Sequence, residues 1–125
     1  MKEKAIKYYN EGSNCSVSII KAANDVFNLN VNQQCFDMCK GVRTGYGIGS
    51  MCNALEAGIF VLGLIYDDRT VNRLRIKLLT LFQSKYRANT CSKLQQKLSN
   101  KNDCSMIIGD VAQILERIIK EETIY

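Results

Sequence analysis

Six cysteines, at positions 15, 35, 39, 52, 91 and 104, are the residues of this 125-residue chain whose type could do chemistry. A thiolate is both a nucleophile and a metal ligand, and four thiolates are the usual complement for zinc or an iron–sulfur cluster. The sequence contains no CxxC pair, so any cooperation between cysteines requires the fold to bring distant segments together. It also contains no histidine, which excludes Ser-His-Asp and Cys-His catalytic pairs, imidazole ligands and the ordinary proton switch near neutral pH. Metal binding would then rest on cysteine alone or on cysteine with carboxylates.

Four of the six share a local setting: Ser13-Asn14-Cys15, Ser50-Met51-Cys52, Asn89-Thr90-Cys91 and Asn102-Asp103-Cys104. Ser, Thr, Asn and Asp favour helix N-caps because their side-chain oxygens accept a free N–H of the first turn, and each triplet leads into a helical run. The pattern predicts all four cysteines near position N2, where free N–H groups and the positive helix end stabilise a thiolate and lower its pKa below the free value of about 8.5. The competing reading is that cysteine is a small hydrophobe and that the caps serve the helices alone.

The elements that must position these sulfurs are helical. Ile107, Ile108, Val111, Ile114, Leu115, Ile118 and Ile119 recur at three- and four-residue spacing. A second helix is predicted from about Cys15 to Phe27, preceded by a short one that Gly12 ends. Residues 51 to 66 read as a nearly wholly apolar central helix, and Thr70 to Tyr86 as a helix with a wide apolar stripe. No β alternation or hairpin signal appears. The expectation is an all-α single domain over residues 1–125, a bundle of six or seven helices with a Gly-rich loop before the central apolar helix.

Asn14-Cys15-Ser16, the Gly45-Tyr46-Gly47-Ile48-Gly49 stretch, Cys52-Asn53-Ala54-Leu55-Glu56-Ala57-Gly58, and then Cys91 and Cys104 together resemble the C_GCAxxG_C_C family over roughly residues 12 to 120. Against a CGAxxG-like centre, Asn53 and Ala57 stand in place of glycines. The resemblance implies a small helical protein with four functional cysteines and thiol or cluster redox chemistry, with no established substrate.

Cys35 and Cys39, at i, i+4 on a short helix with Val31, Met38 and Val42, read as core packing, with a resolving thiol or added metal ligands as the alternative. The loop glycines Gly45, Gly47 and Gly49 could present backbone N–H groups to a thiolate, an anion or an anionic cluster, or could simply turn a corner. They form neither a Walker A loop nor a Rossmann fingerprint. Glu56 could act as a base beside Cys52, but a partly exposed or paired glutamate is the simpler reading. Arg69, Arg73 and Lys77 read as a solvated ridge.

The net charge of +5 comes from 17 basic residues scattered among 12 acidic ones, which argues against nucleic acid as a partner. No apolar run approaches the roughly 20 residues of a membrane span, and the start of the chain lacks an export signal, so no membrane partner and a cytoplasmic location are expected. Two functional readings follow. In the first, Cys15, Cys52, Cys91 and Cys104 converge as a redox-active dithiol/disulfide set with a partner redox protein, or as ligands of an iron–sulfur or zinc centre. In the second, the chain is a non-enzymatic interaction module that forms a homodimer through the helix at 70 to 86, with the cysteines as filler.

Overall fold

The computed structural model describes residues 1–100 and 103–123. Among them are seven α-helices and no β-strand: α1 (Lys2–Asn10), α2 (Cys15–Phe27), α3 (Gln33–Asp37), α4 (Asn53–Ile65), α5 (Asp68–Tyr86), α6 (Cys91–Lys97) and α7 (Ser105–Thr123). A wide π-type turn at Gly45–Gly49 lies between α3 and α4. Local chemistry sets most boundaries. Asn14 Oδ1 accepts the Val17 N–H at 2.8 Å to start α2, and Asp67 Oδ1 accepts the Thr70 N–H at 2.9 Å to start α5. Just past α1, Gly12 takes a positive φ of 112°, which suits glycine and turns the chain into α2.

Helix α4 is central, lying against α2, α5 and α7, while α1 packs on α2 and α7. Ile19, Leu55, Leu62, Leu78, Phe82, Ile108 and Leu115 are fully buried where these helices meet. Each such side chain contributes about 1.5–3 kcal/mol by leaving water, so the bundle rests on its apolar faces rather than on helix propensity. The expected enclosure of α4 is incomplete, because Phe60 and Leu64 are exposed on its outer flank. The α5 stripe is also only partly used: Leu74, Leu78 and Phe82 are buried and Ile76 is exposed. Arg73 and Lys77 on α5 pair with Glu122 and Glu121 on α7, so the basic ridge is an inter-helix seam as well as a wet surface. No helix among the described residues is long and apolar enough to cross a membrane.

Helix α3 is shorter than its cysteine spacing implies. It ends at Asp37, before Cys39. Cys39 is buried at 3% exposure and belongs to the core, but Cys35 is only half-buried and Met38 is exposed, so the three do not share an apolar face. Cys39 serves the site at one remove: its carbonyl accepts from Asn14 Nδ2 at 3.2 Å, steadying the residue that caps Cys15's helix.

Candidate functional site

Three connections gather the four cap-associated cysteines at one end of the bundle. Ser16 Oγ donates to the Asn53 carbonyl at 3.2 Å, which joins the first turns of α2 and α4 and sets Cys15 near Cys52. Met51 and Thr90 form an isolated antiparallel bridge, with the Cys52 N–H on the Asn89 carbonyl at 2.9 Å and the Cys91 N–H on the Ser50 carbonyl at 2.6 Å. Cys52 and Cys91 each follow a bridged residue, so their side chains leave the same face of that pairing. Finally the Cys104 N–H donates to the Tyr9 hydroxyl at 3.1 Å, docking the start of α7 on α1. All four cysteines line one cavity of about 600 Å³, within the usual size of a small-molecule site.

Their positions on the helices differ from the expected N2. Cys15 and Cys91 open α2 and α6 directly after Asn14 and Thr90, whereas Cys52 is itself the N-cap residue of α4. Cys104 immediately precedes α7, its carbonyl accepting the Ile108 N–H at 2.9 Å. Ser50 does not cap α4: it lies two residues before the N-cap Cys52, and its carbonyl accepts the Cys91 N–H. Asp103 Oδ1 accepts the Ser105 N–H at 3.1 Å, and Asn102 lies outside the described residues.

The prediction of four lowered thiol pKa values is corrected to one. The neighbouring Cys104 thiol, ahead of burial, drives the Cys15 pKa well above the ordinary thiol range. The Cys15 thiol in turn holds Cys104 down, to about 7, with help from Gln95 and the Tyr9 hydroxyl against the opposing pull of burial. Gln95 Nε2 stands 3.3 Å from the Cys104 sulfur. Burial pushes Cys52 up to about 11, although the Leu55 and Ala54 N–H groups favour its thiolate. Burial also raises Cys91, with the Cys104 charge adding to it. A helix start alone therefore does not activate these thiols: desolvation outweighs it unless a neighbouring group donates directly to the sulfur.

Four thiols are a donor set that zinc or an iron–sulfur cluster accepts, yet among the described residues no three Cys, Asp or Glu side chains are grouped to hold a metal ion. Gly45, Gly47 and Gly49 are not brought to the cavity wall, which Arg43 and Thr44 reach instead. The Gly45 N–H is taken by Asn53 Oδ1 at 3.1 Å, and a Cβ on Gly45 would stand 2.3 Å from the Ser50 nitrogen. Gly49 is similarly tight against Ser92 of α6. These two glycines fold the turn onto its neighbours. Glu56 is buried at 8% exposure, takes the Tyr46 hydroxyl on Oε2 and stays outside the cavity, so it is not a base for Cys52.

Residues 13–118 match the family described as "Putative redox-active protein (C_GCAxxG_C_C)". The chain belongs to that family. No curated protein and no solved structure matches it. The C_GCAxxG_C_C pattern, laid on Cys52, puts Met51, Asn53 and Glu56 at its Gly, Ala and Gly positions, which relocates the departures expected at Asn53 and Ala57. Two of the three substituted residues have polar work: Asn53 receives the Gly45 N–H, and Glu56 receives Tyr46.

Sequence reasoning about this C_GCAxxG_C_C chain missed Tyr9, Gln95, Arg43 and the amide of Asn53 as neighbours of the thiols. Gln95 had a usable signal, since it stands four residues after Cys91 on α6 and so shares its face. Tyr9 had none, because its partner is 95 residues away in the chain. Asn53 is 5% exposed, and its Nδ2 is buried with no hydrogen-bond partner among the described residues. An unpaired buried donor costs about 1–3 kcal/mol, so this amide marks a point where the wall of the cavity is not self-sufficient.

Proposed function

We propose that the chain is a thiol–disulfide redox protein in which Cys104 attacks and Cys15 resolves. What supports this reading is the meeting of Cys15 and Cys104 in one cavity, where Gln95 Nε2 stands 3.3 Å from the Cys104 sulfur and the two thiols shift in opposite directions, Cys15 up and Cys104 down. The Cys104 thiolate attacks one sulfur of a substrate disulfide, the substrate S–S bond breaks, and the departing thiolate takes up a proton. Forming the mixed disulfide removes the negative charge that kept Cys15 protonated. Cys15 then loses its proton and attacks the Cys104 sulfur, which forms the Cys15–Cys104 disulfide and expels the second substrate thiolate. Two protein thiols are oxidised and one substrate disulfide is reduced to two thiols.

The fine division of labour supports this order. Gln95 Nε2 donates to the attacking sulfur, and the neighbouring Tyr9 hydroxyl and Cys15 thiol favour its ionised form; none of the three is a strong acid, so the thiolate is stabilised without being quenched. Cys52 and Cys91 stay protonated close by and form a reserve pair. The same reading puts the protein in a reducing compartment such as the cytoplasm, where its six thiols persist.

The test is to trap the intermediate with 2-hydroxyethyl disulfide. Cys15→Ser keeps a donor on Cys104 but cannot resolve, so it accumulates a mixed disulfide at Cys104 by mass spectrometry, whereas Cys104→Ser forms none and the natural chain ends as a Cys15–Cys104 disulfide. An adduct mapped to Cys52 or Cys91, or an oxidised natural chain with those two joined and Cys104 free, defeats the assignment.

A further inference from the structure

Cys35 and Cys39 do not line the thiol cavity, yet the second of them is tied to it. Cys39 Sγ donates to the Cys35 carbonyl at 3.4 Å, so its side chain turns back along α3 towards the first cysteine. Cys35 is half-buried and open to a small reagent, while Cys39 is buried. The helix that joins them is weakly held. It has five residues, none of them buried, and past its end the chain is kept in place by single turn bonds: the Cys39 N–H on the Phe36 carbonyl at 3.0 Å and the Lys40 N–H on the Asp37 carbonyl at 3.2 Å. Its start is firmer, because Asn32 Oδ1 caps it through the Cys35 N–H at 3.3 Å. Beyond the thiol, the Cys39 carbonyl accepts from Asn14 Nδ2 at 3.2 Å, and the Oδ1 of that same side chain caps α2 through the Val17 N–H. Cys15 is the next residue.

We infer that Cys35 and Cys39 are a separate dithiol that small disulfides close to a disulfide bond, and that closure releases Asn14 from the Cys39 carbonyl and loosens the start of the helix that carries Cys15. The Cys35 thiolate attacks one sulfur of the small disulfide, whose S–S bond breaks and whose departing thiolate takes up a proton. Cys39 then gives up its proton and attacks the Cys35 sulfur, which expels the second small thiolate. Two protein thiols are oxidised and one small disulfide is reduced to two thiols. The bond cannot form with the helix in place. Cβ atoms four residues apart on a helix stand about 5–6 Å from each other, and a disulfide needs about 3.5–4.5 Å. One end of the turn must give way, and the capped start at Cys35 holds better than the turn bonds at Cys39. Movement there carries the Cys39 carbonyl away from Asn14, and the oxidation state of this pair reaches Cys15 through one side chain. The site stands apart from the Cys15–Cys104 exchange and does not rest on it.

Residues 22–40 form a single tryptic peptide that holds these two cysteines and no other. The natural chain is equilibrated with mixtures of reduced and oxidised glutathione, quenched with acid, alkylated and digested. The peptide is expected in an internally bridged form that carries no alkyl group, in a proportion that rises with oxidised glutathione. Asn14→Asp and Asn14→Ser keep an oxygen to cap α2 but lack the amide donor. Each should raise the equilibrium constant for closing the bridge about fivefold, in line with loss of one hydrogen bond made only in the reduced form, and circular dichroism checks that both fold. Two free thiols at every glutathione ratio, separate glutathione adducts, or a bridge from either residue to a third cysteine overturns the dithiol. A bridge whose equilibrium constant is the same in both Asn14 variants as in the natural chain overturns the link to the Cys15 helix. The mixed disulfide at Cys104 is read from a different peptide, so neither failure touches that assignment.

Discussion

Replacing Cys15 with alanine removes the largest influence on the Cys104 thiol and should change how its reactivity depends on pH. With its pKa at about 7, half of Cys104 is thiolate at that pH. Return to the free-cysteine value of about 8.5 would leave roughly 3% ionised, a drop of about 16-fold. Nucleophilicity moves the other way: with a Brønsted coefficient of about 0.4–0.5, each remaining thiolate reacts about fivefold faster. The two effects combine to make the variant only about threefold slower at about pH 7, and about fourfold faster at about pH 9.5, where both proteins are nearly fully ionised. The profiles must therefore cross. Iodoacetamide labelling, resolved by peptide mass spectrometry so that Cys104 is read separately from the other cysteines, measures both limbs. Parallel curves, or a Cys104 midpoint that is the same with and without Cys15, would refute the claim that the Cys15 thiol sets its reactivity.

Two other predictions concern the scaffold. Gly45→Ala should cost at least about 2 kcal/mol in urea unfolding, because the new methyl meets the Ser50 backbone at 2.3 Å and the residue must hold a φ of 55°. Gly47→Ala, with a positive φ but nothing within 4 Å, should lose only about 1 kcal/mol, and equal losses would show that the turn is not packed as described. Under reducing conditions, stability should fall as pH rises from about 8.5 to about 11, because the unfolded chain releases the Cys52 proton over a range in which the folded chain keeps it. Cys104 has the opposite sign: the folded chain releases its proton first, so it adds stability as pH rises from about 7 to about 8.5 and loses it on acidification through that window. Cys15 and Cys91, also raised, add to the same decline, so Cys52→Ala should make it shallower without abolishing it, and an unaltered slope of urea midpoint against pH would remove desolvation of Cys52 as a cause.

Much of the architecture was legible because it is written locally. Apolar spacing marked α2, α4, α5 and α7, and the caps at Asn14 and Thr90 marked where two of the cysteines begin helices. The same local reading misplaced Cys52: Ser50 looked like the cap, but a backbone bridge between Met51 and Thr90 uses that stretch and moves the cap to the cysteine. The positive φ angles of Gly45 and Gly49 also serve close packing, against Ser50 and Ser92, which no local signal announces.

By itself, the sequence determined that this protein is helical, that it has no imidazole chemistry, and that four sulfurs stand at helix starts, since periodic burial, composition and capping act within a few residues. Only the tertiary structure decided that Cys15 lowers the pKa of Cys104, that Tyr9 and Gln95 support that second sulfur, and that Arg43 and Asp103 share its cavity. A thiol's acidity is the balance of lost water against the donors that replace it, and both are supplied by segments far apart in the chain.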